Sequence, residues 1–142
     1  MVLKSILSEN SIQVVDSVST WQEALKRASQ PLLDSGVITG EYVTNMIKSV
    51  KDNGPYMVLT DYFALMHARP GEGVSRNGMS LLVTKKQVDL VGKPIKIFLV
   101  MAATDNTSHL KSLQNVMNVF MDQNAYQTIL KGNRDKIIEL FN

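Results

Sequence analysis

The sequence predicts an α/β layered sandwich, a mixed β-sheet flanked by helices, and three features predict it. Ile95 to Ala103 is almost continuously apolar, as in a strand covered on both faces. Stretches with apolar residues every three or four positions lie both before and after it. Helical and strand patterns interleave without strict alternation, which favours a mixed over a purely parallel sheet. At 142 residues the chain fits one domain, 1–142, large enough to bury a core without disulfides or metal.

Residues 2–8 can form a short helix, and the β-branched run Ile12 to Val18 predicts a first strand. Thr20 with Glu23 three residues on is a capping-box signature. Trp21, Ala24, Leu25, Ala28, Leu32 and Leu33 then recur at helical spacing up to a stop at Gly36, with Pro31 expected to disturb the last turns or split off a terminal piece. A second helix is predicted from Gly40 to Asn53, with Tyr42, Val43, Met46, Ile47 and Val50 on one face and Gly54-Pro55 ending it. Tyr56 to Thr60 and Met79 to Thr84 read as strands on either side of the segment that contains His67, followed by a weak extended piece at 88–91 and a turn around Gly92. Ile95 to Ala103 is expected at the centre of the sheet. Cap-forming residues at 104–108 predict a long helix beginning near Asn106 or Thr107, then a shorter one over 124–130 and a last one over 134–141.

Fifteen basic against thirteen acidic residues leave +2, too near balance for a nucleic-acid footprint. The absence of cysteine removes thiolate ligation and a cysteine nucleophile from this chain and fits a reducing, cytoplasmic setting. The first residues are too short and too soon polar for a signal h-region, and the longest apolar run is far below a membrane span. A membrane is expected to matter only through a partner.

One stretch carries chemistry. Phe63 to Met66 lead into His67, and Pro70, Gly71 and Gly73 turn the chain beyond it. This sequence presents an imidazole at an edge, with the guanidinium forks of Arg69 and Arg76 near it in sequence and matched to phosphate oxygens. A hydrogen-bonded structural histidine is the competing reading. His109, the other of two histidines, falls at the start of a helix directly after the central strand, where open α/β sheets hold ligands and helix amides attract anions. A solvated helix-start histidine is its alternative.

The run Phe63-Ala64-Leu65-Met66-His67-Ala68-Arg69-Pro70, followed by Gly71-Glu72-Gly73-Val74, resembles the phosphohistidine motif of enzyme IIA domains of the mannitol/fructose type in the bacterial sugar phosphotransferase system. Gly54-Pro55-Tyr56, Ala102-Ala103-Thr104-Asp105 and His109-Leu110 extend the resemblance over almost the whole chain, and His67-Ala68-Arg69-Pro70 looks most like the L-ascorbate branch. The resemblance implies the same layered fold. It also implies that His67 takes a phosphoryl group on Nε2 from the carrier protein HPr and passes it to a cysteine of a IIB component, with His109 beside it. No cofactor or metal is demanded, because a neutral imidazole already offers a lone pair. A membrane IIC component is touched only indirectly, and the sequence leaves a homodimer open.

Asp61 matches an acidic position of the mannitol-type motif and would orient an imidazole or a nearby basic group; a turn residue after Thr60 is the alternative. Where the mannitol type has an arginine, about sixteen residues before its histidine, this chain offers Lys48 and Lys51, and Lys51 is the candidate phosphate neighbour beside Arg69. The proline that usually precedes the active histidine is Met66 here, so presentation of His67 depends more on packing. Two other functions stay open: a regulatory IIA-like module that acts by phosphorylation-dependent binding, and a scaffold that has kept the fold without accepting phosphate.

Overall fold

The structure is a computed structural model that describes residues 7–142. The elements in order are β1 (Ile12–Val15), α1 (Trp21–Asp34), α2 (Gly40–Asn53), β2 (Val58–Thr60), β3 (Tyr62–Met66), β4 (Gly78–Leu90), β5 (Lys93–Ala102), α3 (Leu110–Met121), α4 (Gln123–Leu130) and α5 (Arg134–Phe141). The strands form one mixed sheet in the order β1-β4-β5-β3-β2. β1 runs parallel to β4 and β3 parallel to β5, while the β4–β5 and β2–β3 pairs are antiparallel.

β5 is central, as its uninterrupted apolarity requires. Phe98 and Val100 join the apolar cluster under α1 and α2, and Ile97 and Leu99 join the one under α3, α4 and α5. Two helical layers therefore sandwich the sheet. On the second side, Phe63 stacks on Phe120 with ring centroids 4.3 Å apart, and Phe120 in turn meets Phe141. Such aromatic pairs add about 1 kcal/mol each beyond the area they bury.

Several expectations change in detail. The helix expected over 2–8 lies mostly outside the described residues, and residues 7 and 8 lead into a 3-10 turn at Glu9–Ser11. Pro31 neither breaks α1 nor splits it. Proline has no N–H to give the Arg27 carbonyl one turn back, and the Gln13 side-chain amide supplies that donor at 2.6 Å. The N-cap half of the predicted capping box is present: the Thr20 hydroxyl accepts from Glu23 N at 3.1 Å. The segment before His67 is itself a strand, β3, and the extended piece at 88–91 belongs to the same β4 that starts at Gly78. Lys85, Lys86 and Gln87 interrupt the apolar pattern because the β4–β5 register slips between Val83 and Val88, letting these polar residues face solvent.

Val91 and Gly92 make the two-residue turn between β4 and β5, both with positive φ, +48° and +91°. That is a type I′ hairpin turn, which Gly tolerates and a β-branched residue resists. A Val91→Asn chain should gain about 1 kcal/mol, because Asn adopts this φ with little strain. Thermal unfolding should show a midpoint raised by roughly 2–4 °C.

Candidate functional site

β3 and β5 are parallel neighbours with Met66 paired to Val100, so both deliver their C-terminal ends to the same rim of the sheet. His67 is the first residue beyond β3, and His109 is the N-cap of α3, reached by a short loop from the end of β5. The rim thus carries both histidines. His67 is half-buried.

Its ring is oriented by its own strand. His67 Nδ1 lies 3.0 Å from the Leu65 carbonyl, and a carbonyl only accepts, so Nδ1 carries the proton in this contact. In the neutral ring Nε2 then keeps its lone pair. Tyr56 meets the imidazole edge-on, ring centroids 6.0 Å apart, and its hydroxyl shares a 2.8 Å hydrogen bond with Ser49 of α2.

The backbone on either side of His67 is fixed as well. Met66 is buried, and the Ala68 N–H donates to the Tyr42 hydroxyl at 3.1 Å. The same hydroxyl donates to the Met101 carbonyl of β5 at 2.5 Å. Burial pushes the Tyr42 phenol above its ordinary pKa, so it stays protonated. The sequence placed Tyr42 only on the buried face of a helix. A sunken phenol needs a partner for its hydroxyl, which was the available hint that it serves more than packing.

Beyond Ala68 the chain folds back over the rim. Gly71 N donates to the Ala103 carbonyl at 2.9 Å, Thr39 N to the Gly73 carbonyl at 2.9 Å, and Ile38 bridges Val74. Gly71 and Gly73 have φ of +91° and +73°. Arg69 projects from this loop, exposed, with no ion pair or side-chain hydrogen bond among the described residues. Arg76 is engaged elsewhere, donating to the Ser35 carbonyl at the end of α1.

His109 stands over a cavity of about 170 Å³ lined by Asn77, Met79, Met101, Ser112 and Leu113 among others. Its Nδ1 is buried without a hydrogen-bond partner among the described residues, while the residue as a whole is half-exposed. Met101 is the next residue after Val100 and so flanks the end of β3; it also walls this cavity, and thereby links the surroundings of the two histidines. α3 begins at Leu110, later than expected from the 104–108 pattern. The Asp105 carboxylate explains the delay: it accepts from the amides of Ser108 and Thr107 at 2.7 and 2.9 Å, closing a separate turn first. Those bonds hold the Asp105 pKa below the ordinary carboxylate value. Asn77, which the sequence did not single out, joins this turn to β4. Its Oδ1 accepts from Thr104 N at 2.8 Å and its Nδ2 donates to Ser108 Oγ at 2.8 Å.

Two expected neighbours are not brought to His67. Asp61 precedes β3, with the whole strand between it and the histidine, and its carbonyl accepts from the Tyr126 hydroxyl of α4. At about 3.3 Å per residue, Phe63 and His67 alone are about 13 Å apart, so the Asp61 carboxylate does not orient the imidazole. The Leu65 carbonyl does. Lys51 is exposed in the last turn of α2. It is two residues from Ser49, hence about 200° around the helix from the side that holds Tyr56, the residue that meets His67.

The family model described as "Phosphoenolpyruvate-dependent sugar phosphotransferase system, EIIA 2" matches residues 5–142. The mannitol-specific cryptic phosphotransferase enzyme IIA component of Escherichia coli K12 is 32% identical over 138 residues, covering 96% of this chain and 94% of that one. The ascorbate-specific PTS system EIIA component of the same strain is also 32% identical, over 134 residues, covering 91% and 87%. A solution structure of the cryptic mannitol enzyme IIA from Escherichia coli matches the fold with a TM-score of 0.88 at 29% identity, over 96% of this chain and 95% of that one.

Proposed function

The chain belongs to the EIIA 2 family of the phosphoenolpyruvate-dependent sugar phosphotransferase system and is a phosphotransferase of that system; from this premise we propose that His67 is its phosphoryl acceptor and donor. The hydrogen bond from Nδ1 to the Leu65 carbonyl carries the reading, because it leaves Nε2 unprotonated on a ring that is only half-buried.

In the first step the Nε2 lone pair attacks the phosphorus of a phosphohistidine on HPr. A new N–P bond forms as the donor N–P bond breaks, and its electron pair returns to the donor ring. The proton stays on Nδ1, which goes on donating to the Leu65 carbonyl, and that acceptor stabilises the positive charge that the phosphorylated imidazole acquires. In the second step a cysteine thiolate of a IIB component attacks the phosphorus, the N–P bond breaks, and neutral His67 is restored with the same tautomer. Such transfers depend on in-line placement and charge neutralisation more than on a base. Arg69, exposed in the loop that follows, supplies a fork for the phosphoryl oxygens. His109, at the same rim and at the start of α3, adds a donor and the positive end of that helix.

For the sugar, the run His67-Ala68-Arg69-Pro70 favours L-ascorbate. The ascorbate and mannitol relatives named above share the same 32% identity, so the reading of the sugar rests on this run and not on overall similarity. Mass spectrometry after incubation with phosphoenolpyruvate, enzyme I and HPr tests the acceptor: one acid-labile phosphate on His67 is expected, and a phosphate elsewhere or none overturns the assignment. Offering the labelled protein an ascorbate-type and a mannitol-type IIB then tests the specificity. Binding without onward transfer to either would make the chain a regulatory module.

His109→Ala should slow acceptance roughly tenfold to a hundredfold while leaving the thermal midpoint within about 2 °C of the parent. Its ring makes no cap bond and its buried Nδ1 has no partner to orphan, so little stability is at stake. Quench-flow labelling and a melting curve on one preparation check both halves.

A further inference from the structure

We propose that Tyr42 is a positioning residue for this transfer: its hydroxyl, by joining Ala68 N–H to the Met101 carbonyl, fixes the peptide plane after His67 and so keeps the imidazole on the Leu65 carbonyl. The inference rests on the reading of His67 as the acceptor. A buried tyrosine is satisfied by a single acceptor for its O–H. Here the hydroxyl makes that bond to Met101, 59 residues away, and also accepts from the residue immediately after His67, 26 residues away.

His67 is consequently bracketed. On one side Met66 is buried and paired in register with Val100. On the other, the direction of the Ala68 N–H fixes the ψ angle of His67. With both flanks held, the ring has little freedom except about its own side-chain bonds, and the 3.0 Å contact to the Leu65 carbonyl selects one orientation. Releasing the Ala68 N–H unpins the chain just beyond the strand end, so the backbone of His67 can turn about φ as well as ψ and carry the ring off the carbonyl, after which either nitrogen can carry the proton. The returning loop is packed on the same residue, since a Cβ at Gly73 would come within 2.9 Å of Tyr42 N. Met101, the other end of the bridge, also walls the cavity under His109, so one hydroxyl holds a strand end shared by both histidine environments.

Tyr42→Phe keeps the ring and removes the bridge. Nitrogen-15 spectra of the imidazoles, recorded above the imidazole pKa, should show His67 of the parent protonated on Nδ1 and bare on Nε2. In the variant the two nitrogens should shift toward the averaged values of a mixed tautomer, with His109 unchanged. Acceptance from phospho-HPr should fall about tenfold in kcat at an unchanged KM, because docking is intact and only the nucleophile is misaligned. A variant with parental His67 signals and parental kcat, even if it melts at a lower temperature, would reduce Tyr42 to a structural residue and overturn the proposal. If Tyr42→Phe does not fold, 3-fluorotyrosine at position 42 preserves shape and weakens the hydroxyl as an acceptor. A lower kcat in that folded protein supports the role, and a parental one overturns it. Should the parent itself take no phosphate, the acceptor reading fails, while the ring spectra still decide whether Tyr42 sets the imidazole.

Discussion

A His67→Ala chain should take up no measurable phosphate from phospho-HPr, a loss on the order of a thousandfold or more, while remaining folded. Removing a nucleophile leaves the donor phosphohistidine with no attacking lone pair, and docking and charge neutralisation cannot replace it. The fold should tolerate the change because the ring is half-buried and its one side-chain hydrogen bond is to a strand carbonyl at the rim. Loss of that bond amounts to about 1 kcal/mol. Radiolabelled phosphoenolpyruvate with enzyme I and HPr, followed by gel autoradiography at alkaline pH, checks the result. Persistent labelling of the alanine variant would mean that another group, His109 first, is the acceptor.

The largest loss of stability at a site residue should come from Gly73→Ala. Gly73 has φ of +73°, and an added Cβ would lie 2.9 Å from Tyr42 N and 3.0 Å from Thr39 Oγ1. The first of these is backbone at the start of α2 and cannot rotate away. The left-handed conformation alone costs an alanine roughly 1–2 kcal/mol, and overpacking adds about 1–3 kcal/mol. A total near 3 kcal/mol should lower the melting midpoint by roughly 6–12 °C for a chain of this size. Acceptance should also slow, because Tyr42 moves with the backbone that is pushed. Gly71 offers a control: its φ is +91°, but its added Cβ would meet only the Thr104 carbonyl at 3.4 Å, ordinary contact distance. The alanine variant there should lose only the conformational part.

The fold was legible where one physical signal dominated. The apolarity of Ile95 to Ala103 announced a central strand, and the spacing of Trp21 to Leu33 and Leu110 to Met121 announced helices that cover it. Boundaries failed where a remote group changed a local rule. Pro31 reads as a helix breaker until Gln13 answers its orphaned carbonyl, and a strand can run through Lys85 to Gln87 only because its register slips there. The histidine segment was recognisable from its sequence, yet the partner of the imidazole was not. Asp61 looked apt by chemical type, but a straight strand carries it to the far end, and the work falls to a backbone carbonyl that no residue identity encodes. Tyr42 was hidden for the opposite reason: its ring earned it a place in the core, and only the tertiary fold shows what its hydroxyl touches.

The outermost strands of the sheet, β1 with four residues and β2 with three, are the shortest among the described residues. Borders this brief offer an incoming chain few free amides and carbonyls, so recruitment by backbone zippering is disfavoured, as is self-stacking into fibrils. Under the proposed relay, a molecule visited and released by one protein after another would thereby be steered to side-chain recognition on its histidine-bearing face, where contacts can be brief and exchange can be fast.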